Sequence, residues 1–130
     1  MSSAQTLADF GSGLYENFRR KNLLINGGFG VWQRATTQTS NGIGSDDRWV
    51  NSHNGSTKTH SQQAFTQGQA TVPYNPKYFS RTVVTSVAGA GNYVIKYQNI
   101  EGVLQSSNTT YTLSFYAKAD ADKYMAVSFD

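Results

Sequence analysis

From Asn22 onward the apolar residues of this chain recur with a period of two, and that pattern constrains its fold more than any polar cluster does. Tyr111, Leu113, Phe115 and Ala117 alternate with Thr112, Ser114, Tyr116 and Lys118. Tyr93, Ile95 and Tyr97 alternate with Val94, Lys96 and Gln98. Alternating side chains stand on opposite faces of a strand, so each segment needs a core against one face and neighbours on its hydrogen-bonding edges. The last such segment, Tyr124 to Phe129, makes Met125, Val127 and Phe129 a candidate inner face with only Asp130 after it. A strand in that position lacks a later strand to cover it. The expectation is the first part of a longer protein, or a subunit completed by other chains.

The remaining segments read the same way. Leu23, Leu24 and Ile25 form a short strand that runs into a turn at Asn26, Gly27 and Gly28, and a strand resumes over Phe29 to Gln33. Residues 35–46 are a polar loop containing Asn41-Gly42, a strong tight-turn signal. Arg48 to Val50 is a brief ordered segment and Asn51 to Ser56 another loop. Thr57 to Phe65 is a polar alternating stretch suited to an exposed or edge strand. Pro73 and Pro76 exclude a central strand from Gly68 to Pro76, because proline has no N–H for the ladder. Tyr78 to Val84 is a strand, and turns follow at residues 86–92 and 105–109. Short strands at these intervals predict a mainly β chain, a jelly-roll-like antiparallel β-sandwich that is incomplete at its C-terminus.

The first 21 residues differ. Leu7, Phe10, Leu14 and Phe18 fall at spacings of three, four and four, one face of a helix. Ser2 or Ser3 caps its start, and Arg19, Arg20 and Lys21 suit the negative end of its dipole. Gly11 and Gly13 weaken it by about 1 kcal/mol each, and so short a helix does not stand alone in water. It docks on its own domain, on a symmetric copy or on a neighbouring component. Two units follow, an attachment segment at 1–21 and a β domain at 22–130.

Composition excludes several function classes. Eight Tyr, seven Phe and two Trp in 130 residues rule out disorder. Charged residues are 15% of the chain against about 25% in ordinary soluble domains, and the polar balance is neutral hydroxyls and amides, as on an extracellular or virion surface. A net charge of +3 without a basic stripe or reader motif argues against nucleic acid. Without cysteine there are no disulfides, thiolate metal sites or thiol chemistry. The start has no signal-peptide pattern, and no apolar run reaches the 18 or so residues of a membrane helix, so membrane insertion is not expected.

Nor is catalysis. Glycoside hydrolysis needs two placed carboxylates, and the only glutamates, Glu16 and Glu101, lie far apart in different elements. No nucleophile elbow or Ser-His-Asp order occurs. His53 and His60 lack a third ligand in register, so they read as solvated or singly hydrogen-bonded and no metal site is assigned. No cofactor is expected; Ca²⁺ is the one ion that Asp46 with Asp47, or Asp120 with Asp122, could help to bind, although neither pair has the spacing of a recognised cage.

Four segments in order carry a resemblance: NLLINGGFGVWQR at 22–34, DRW at 47–49, YFSRTVVTSVAGAGNYVIKYQNIEGV at 78–103 and TYTLSFYAKADADKYMAVSF at 110–129. Together they resemble phage and prophage tail-fibre, or receptor-binding, proteins with a carbohydrate-binding-module-like β-sandwich. The resemblance covers residues 22–130. It implies a virion component near the tail tip, working as a homotrimer, whose N-terminal part attaches the fibre to baseplate or other tail proteins. The alternative it implies is a glycan-binding module that recognises host surface polysaccharide directly. Family members continue with further strands where this sequence stops.

The candidate site residues follow from these readings. Leu7, Phe10, Leu14 and Phe18 form the attachment or oligomer interface. Trp32, Tyr74 and Tyr78 are the candidate glycan or partner contacts: flat aromatics cover sugar rings, and Tyr74 and Tyr78 flank a loop stiffened by proline, which limits the ordering entropy lost on binding. Core packing competes for Trp32 and Trp49, since a large aromatic buries about 150–250 Å² in a small core. In the DRW motif Arg48 is expected to pair with Asp46 or Asp47.

Overall fold

The computed structural model describes residues 22–100 and 110–129. The expected helix, with Leu7, Phe10, Leu14 and Phe18, lies outside the described residues, as does the turn at 105–109.

Five strands form: β1 (Thr37–Gln38), β2 (Val50–Asn54), β3 (Thr57–Ala64), β4 (Tyr78–Thr85) and β5 (Tyr93–Tyr97). They make two antiparallel sheets, one ordered β1-β3-β4 and the other β2-β5. The mainly β, antiparallel expectation is met, and β4 and β5 fall where period-two alternation put them. Gly68 to Pro76 carries no strand.

Three expectations are corrected. The Asn51–Ser56 loop is mostly β2, whose five residues pair with β5 from Val50↔Tyr97 to Asn54↔Tyr93. The side chain of Asn41 supports it from the other edge, its Nδ2 donating to the His53 carbonyl at 3.1 Å and its Oδ1 accepting the His53 N–H at 3.0 Å. An amide can replace a backbone partner in this way, so a polar segment becomes a strand with Val50 as its one β-branched residue. The polar stretch expected at an edge is the central strand β3, flanked by β1 through Gln38↔His60 and by β4 through eight consecutive pairs. Lys58 and His60 face inward, where what they meet is polar too, while Thr57 and Thr59 on the other face are exposed. Finally, neither Leu23 to Ile25 nor Phe29 to Gln33 forms a strand, although the turn at Asn26 and the two glycines is present.

The chain changes sheets between β2 and β3 at Gly55. This residue has φ 66°, and a Cβ there would lie 1.8 Å from Asn92 Oδ1. Both the left-handed backbone and the close approach call for glycine. At the tight turn, Gly42 has φ 105° and exchanges two backbone hydrogen bonds with Asn51, at 2.9 and 3.0 Å.

A further correction concerns the core. Among the described residues no apolar side chain is fully buried; those that are buried are Gln38, Ser45, Asp46, Asn51, Ser56, Lys58 and His60. Residues 110–129 contain no strand, and the set expected to face a core is exposed: Tyr111, Leu113 and Phe115, then Met125, Val127 and Phe129. Alternation specifies faces, but a strand also needs a ladder, and the ladders among the described residues run between β1, β3 and β4 and between β2 and β5.

Candidate functional site: a buried polar cluster

The sheets are joined by a cluster centred on Asp46, which is fully buried. The loop that carries Asp46 is held by Asn26, in a left-handed conformation at φ 55°. The Asn26 amide nitrogen donates to the carbonyls of Val31 and Asp47 at 2.9 and 3.0 Å, and the Trp49 indole donates to the Asn26 carbonyl at 3.0 Å. The NGG turn is thereby fastened to the DRW segment, and Asp46 is pointed inward.

Around the carboxylate are donors from four elements. Ser45 Oγ donates to Asp46 Oδ1 at 3.0 Å, Asn51 Nδ2 from β2 donates at 2.8 Å, and His60 Nε2 from β3 lies 3.1 Å away. The Lys96 ammonium from β5 pairs with Asp46 Oδ2. Gln38 on β1 completes the ring, its Oε1 accepting from Asn51 at 3.2 Å and sharing with Asp46 the single Ser45 hydroxyl proton, at 2.8 Å from Ser45 Oγ. Its own amide donates to the carbonyls of Ser40 and Gly42 at 3.0 and 2.9 Å.

His60 Nε2 faces Lys96 Nζ at 2.8 Å and Ser80 Oγ at 3.3 Å as well as the carboxylate, and its Nδ1 lies 3.0 Å from Thr82 Oγ1. Trp32 stacks on the imidazole at 5.6 Å and 16°, and Phe29 and Trp49 lie 5.1 and 5.8 Å from the Lys96 ammonium. Such contacts favour the cation over a ring face.

Burial by itself would raise the Asp46 carboxyl, but the hydrogen bonds of His60, Lys96 and Asn51 and the Lys96 charge together hold it well below the usual carboxylate range. Burial pushes the Lys96 ammonium down to about 8 against the pull of Asp46. Burial also lowers Lys58, which is 4% exposed and donates to the carbonyls of Thr39 and Ser40 at 3.3 and 2.8 Å.

Several sequence readings change here. Arg48 is exposed and pairs with neither aspartate: Asp46 is bound to Lys96 and His60, while Asp47 Oδ1 accepts the Gln33 N–H at 3.0 Å. His60 is not solvated but fully buried among four polar partners; His53 Nδ1 is buried with no hydrogen bond. Trp32 is half-buried over His60, and its indole donates to the Phe29 carbonyl at 2.6 Å. Tyr74 is 98% exposed in the proline loop, whereas Tyr78 is half-buried at the start of β4 with the Lys77 ammonium 5.0 Å from its ring. Tyr78 pairs with Ala64 and His60 with Thr82, which puts Tyr78 about 13 Å along the ladder from the Trp32 stack at 3.3 Å per residue. The three aromatics are not shown to share one surface.

Sequence reasoning passed over Lys58, Thr82 and Lys96 and read His60 as solvated or singly hydrogen-bonded. One signal was present: Lys58 and His60 are two apart on a strand, hence on one face. Among the described residues no group of three or more His, Asp and Glu side chains could hold a metal ion. Ring stacking and a carboxylate hydrogen-bonded from several elements make this a polar joint between sheets, with Lys58 and Lys96 as its cations. Comparison with protein-family models, with curated proteins and with solved structures gave no match for the chain.

Proposed function

We propose that the chain is a structural component of a phage tail fibre or receptor-binding protein, a jelly-roll-type β-sandwich that attaches the fibre at the tail tip. In this reading residues 1–21 dock on baseplate or other tail proteins through Leu7, Phe10, Leu14 and Phe18, three copies assemble, and the site of action is the virion. The observation that carries it is the exposure of apolar side chains in residues 110–129, where Phe115 is 53% exposed, Tyr116 72% and Phe129 71%. Contiguous exposed apolar surface marks a surface that other protein covers. The four-segment resemblance supplies the kind of assembly. No catalytic role is part of the proposal.

Particle incorporation is the test. Chains lacking residues 1–21 should fail to join phage particles while residues 22–130 still fold, as read by particle mass spectrometry and circular dichroism. Truncated chains that enter particles at the normal level would sink the attachment role.

A second reading, direct recognition of host surface glycan, draws on Tyr74, whose ring is free to solvent on a loop between two prolines. Its backbone is left-handed at φ 65°, as is that of Asn75 at 46°. Such strain is held at ligand-binding loops more often than elsewhere. Polysaccharide binding that Tyr74→Ala reduces tenfold or more supports this reading, and binding indifferent to Tyr74 removes it.

A further inference from the structure

Between the sheets lies a cavity of about 300 Å³, at the small end of the range for ligand sites. One part of its wall is polar: Lys58 from β3, Thr82 from β4, and Asn51 and Lys96 from β2 and β5. The rest is aliphatic, with Val84 and Val94 on the strands and Met125 from the segment beyond.

The charges do not balance. Lys58 and Lys96 bring two ammonium groups to this wall, and the buried carboxylate of Asp46 is bound to Lys96. Lys58 is 4% exposed and makes no ion pair among the described residues; its bonds go to two backbone carbonyls. A buried charge is costly unless paired, so one positive charge is left seeking an anion. The donors are available. Each ammonium carries three N–H groups: Lys58 commits two to Thr39 and Ser40, and Lys96 commits one to Asp46. Thr82 adds a hydroxyl to the same wall.

We propose that this cavity binds a small aliphatic monocarboxylate, with the carboxylate on Lys58, Lys96 and Thr82 and the hydrocarbon against Val84, Val94 and Met125. A single surplus charge suits a monoanion better than a phosphate dianion. An aliphatic wall suits hydrocarbon better than the hydroxyl-rich body of a sugar acid. The site stands apart from the attachment role and from Tyr74.

Octanoate is the probe, titrated into the intact chain at pH 7 and followed by amide NMR shifts and thermal unfolding. Saturable shifts at Lys58, Thr82 and Lys96 and a rise of several degrees in Tm are expected, with octanol at least tenfold weaker. Sodium sulfate and glucuronate at matched ionic strength should give neither. Lys58→Met should weaken octanoate tenfold or more. Because that variant also loses two backbone hydrogen bonds, Val84→Trp is the second: it fills the aliphatic wall at a position 47% exposed and leaves the polar cluster intact. Loss of octanoate binding in folded Val84→Trp supports the site, and unchanged binding overturns it. Equal affinity for octanol would remove the role of the charge, equal affinity for glucuronate the aliphatic assignment, and no saturable shift with octanoate the whole proposal.

Discussion

The polar joint around Asp46 and the apolar segment at 110–129 reverse the usual roles of interior and surface. The first has carboxylate, imidazole, amide and ammonium groups packed from both sheets, with Asp46 and His60 wholly shielded from water. The second holds Tyr111, Leu113, Phe115, Met125, Val127 and Phe129 in solvent. Hydrogen bonds are directional and complete themselves locally, so the cluster closes within residues 26–96. Hydrophobic burial has no direction and requires only a partner of sufficient area. The first region is therefore specified by its own residues, and the second is left exposed among the described residues.

The largest expected effect breaks the first region. Asp46→Ala leaves the Lys96 ammonium without its counter-ion and removes the acceptor of Ser45 and Asn51, so a loss of about 3–5 kcal/mol is expected in urea unfolding. A loss below about 1 kcal/mol would mean that the cluster is solvated rather than shielded. Gly55→Ala comes next, at about 1–3 kcal/mol, from a left-handed backbone and the clash with Asn92. Restoration by Asn92→Ala would divide the two causes: relief of the clash recovers part of the loss, and full recovery would exclude backbone strain.

pH sharpens the contrast. Asp46 is depressed below its ordinary value of 3.8, so its stabilisation is present above that pH and disappears as acid carries the folded carboxyl through its own lower value. Lys96, lowered from 10.5 to about 8 by burial, gives a slope of the same sign at the alkaline end, because its charged form is the one that folding disfavours. Between those values the unfolded chain holds more protons, so stability should climb with pH across that window. Urea midpoints of the wild type against Lys96→Met check this, and a difference that stays flat from pH 8 to 10 would contradict it.

The smallest effect on stability belongs to the second region. Phe115→Ser and Val127→Ser should each change the unfolding free energy by no more than about 0.5 kcal/mol, since both side chains are already exposed. Their effect should instead appear as a fall in self-association by light scattering. A stability loss above about 2 kcal/mol would mean that these side chains are buried in the isolated chain.

Legibility followed the same division. β4 and β5 were readable because Tyr78 to Val84 and Tyr93 to Tyr97 have the β-branched and aromatic content and the alternation of strands. β2, with the sequence VNSHN, has little of either; the Asn41 side chain and β5 make it a strand, and nothing nearby in sequence announces them. The cluster was illegible for a related reason. Arg48 was expected to pair with Asp46 or Asp47, yet the cation of Asp46 is Lys96, 50 residues away, because the Asn26 clamp turns the loop inward while Arg48 stays in solvent.

What the sequence determined alone was local: the period-two faces, the proline-stiffened loop, the glycine turn at Gly42 and the lack of any thiol chemistry. Each depends on one residue's geometry or on neighbours within a few positions. The tertiary structure decided which face of β3 points inward, which cation meets Asp46 and which apolar residues stay in water. Those outcomes depend on pairings across tens of residues, where a carboxylate takes the best desolvated donor within reach and proximity along the chain counts for little.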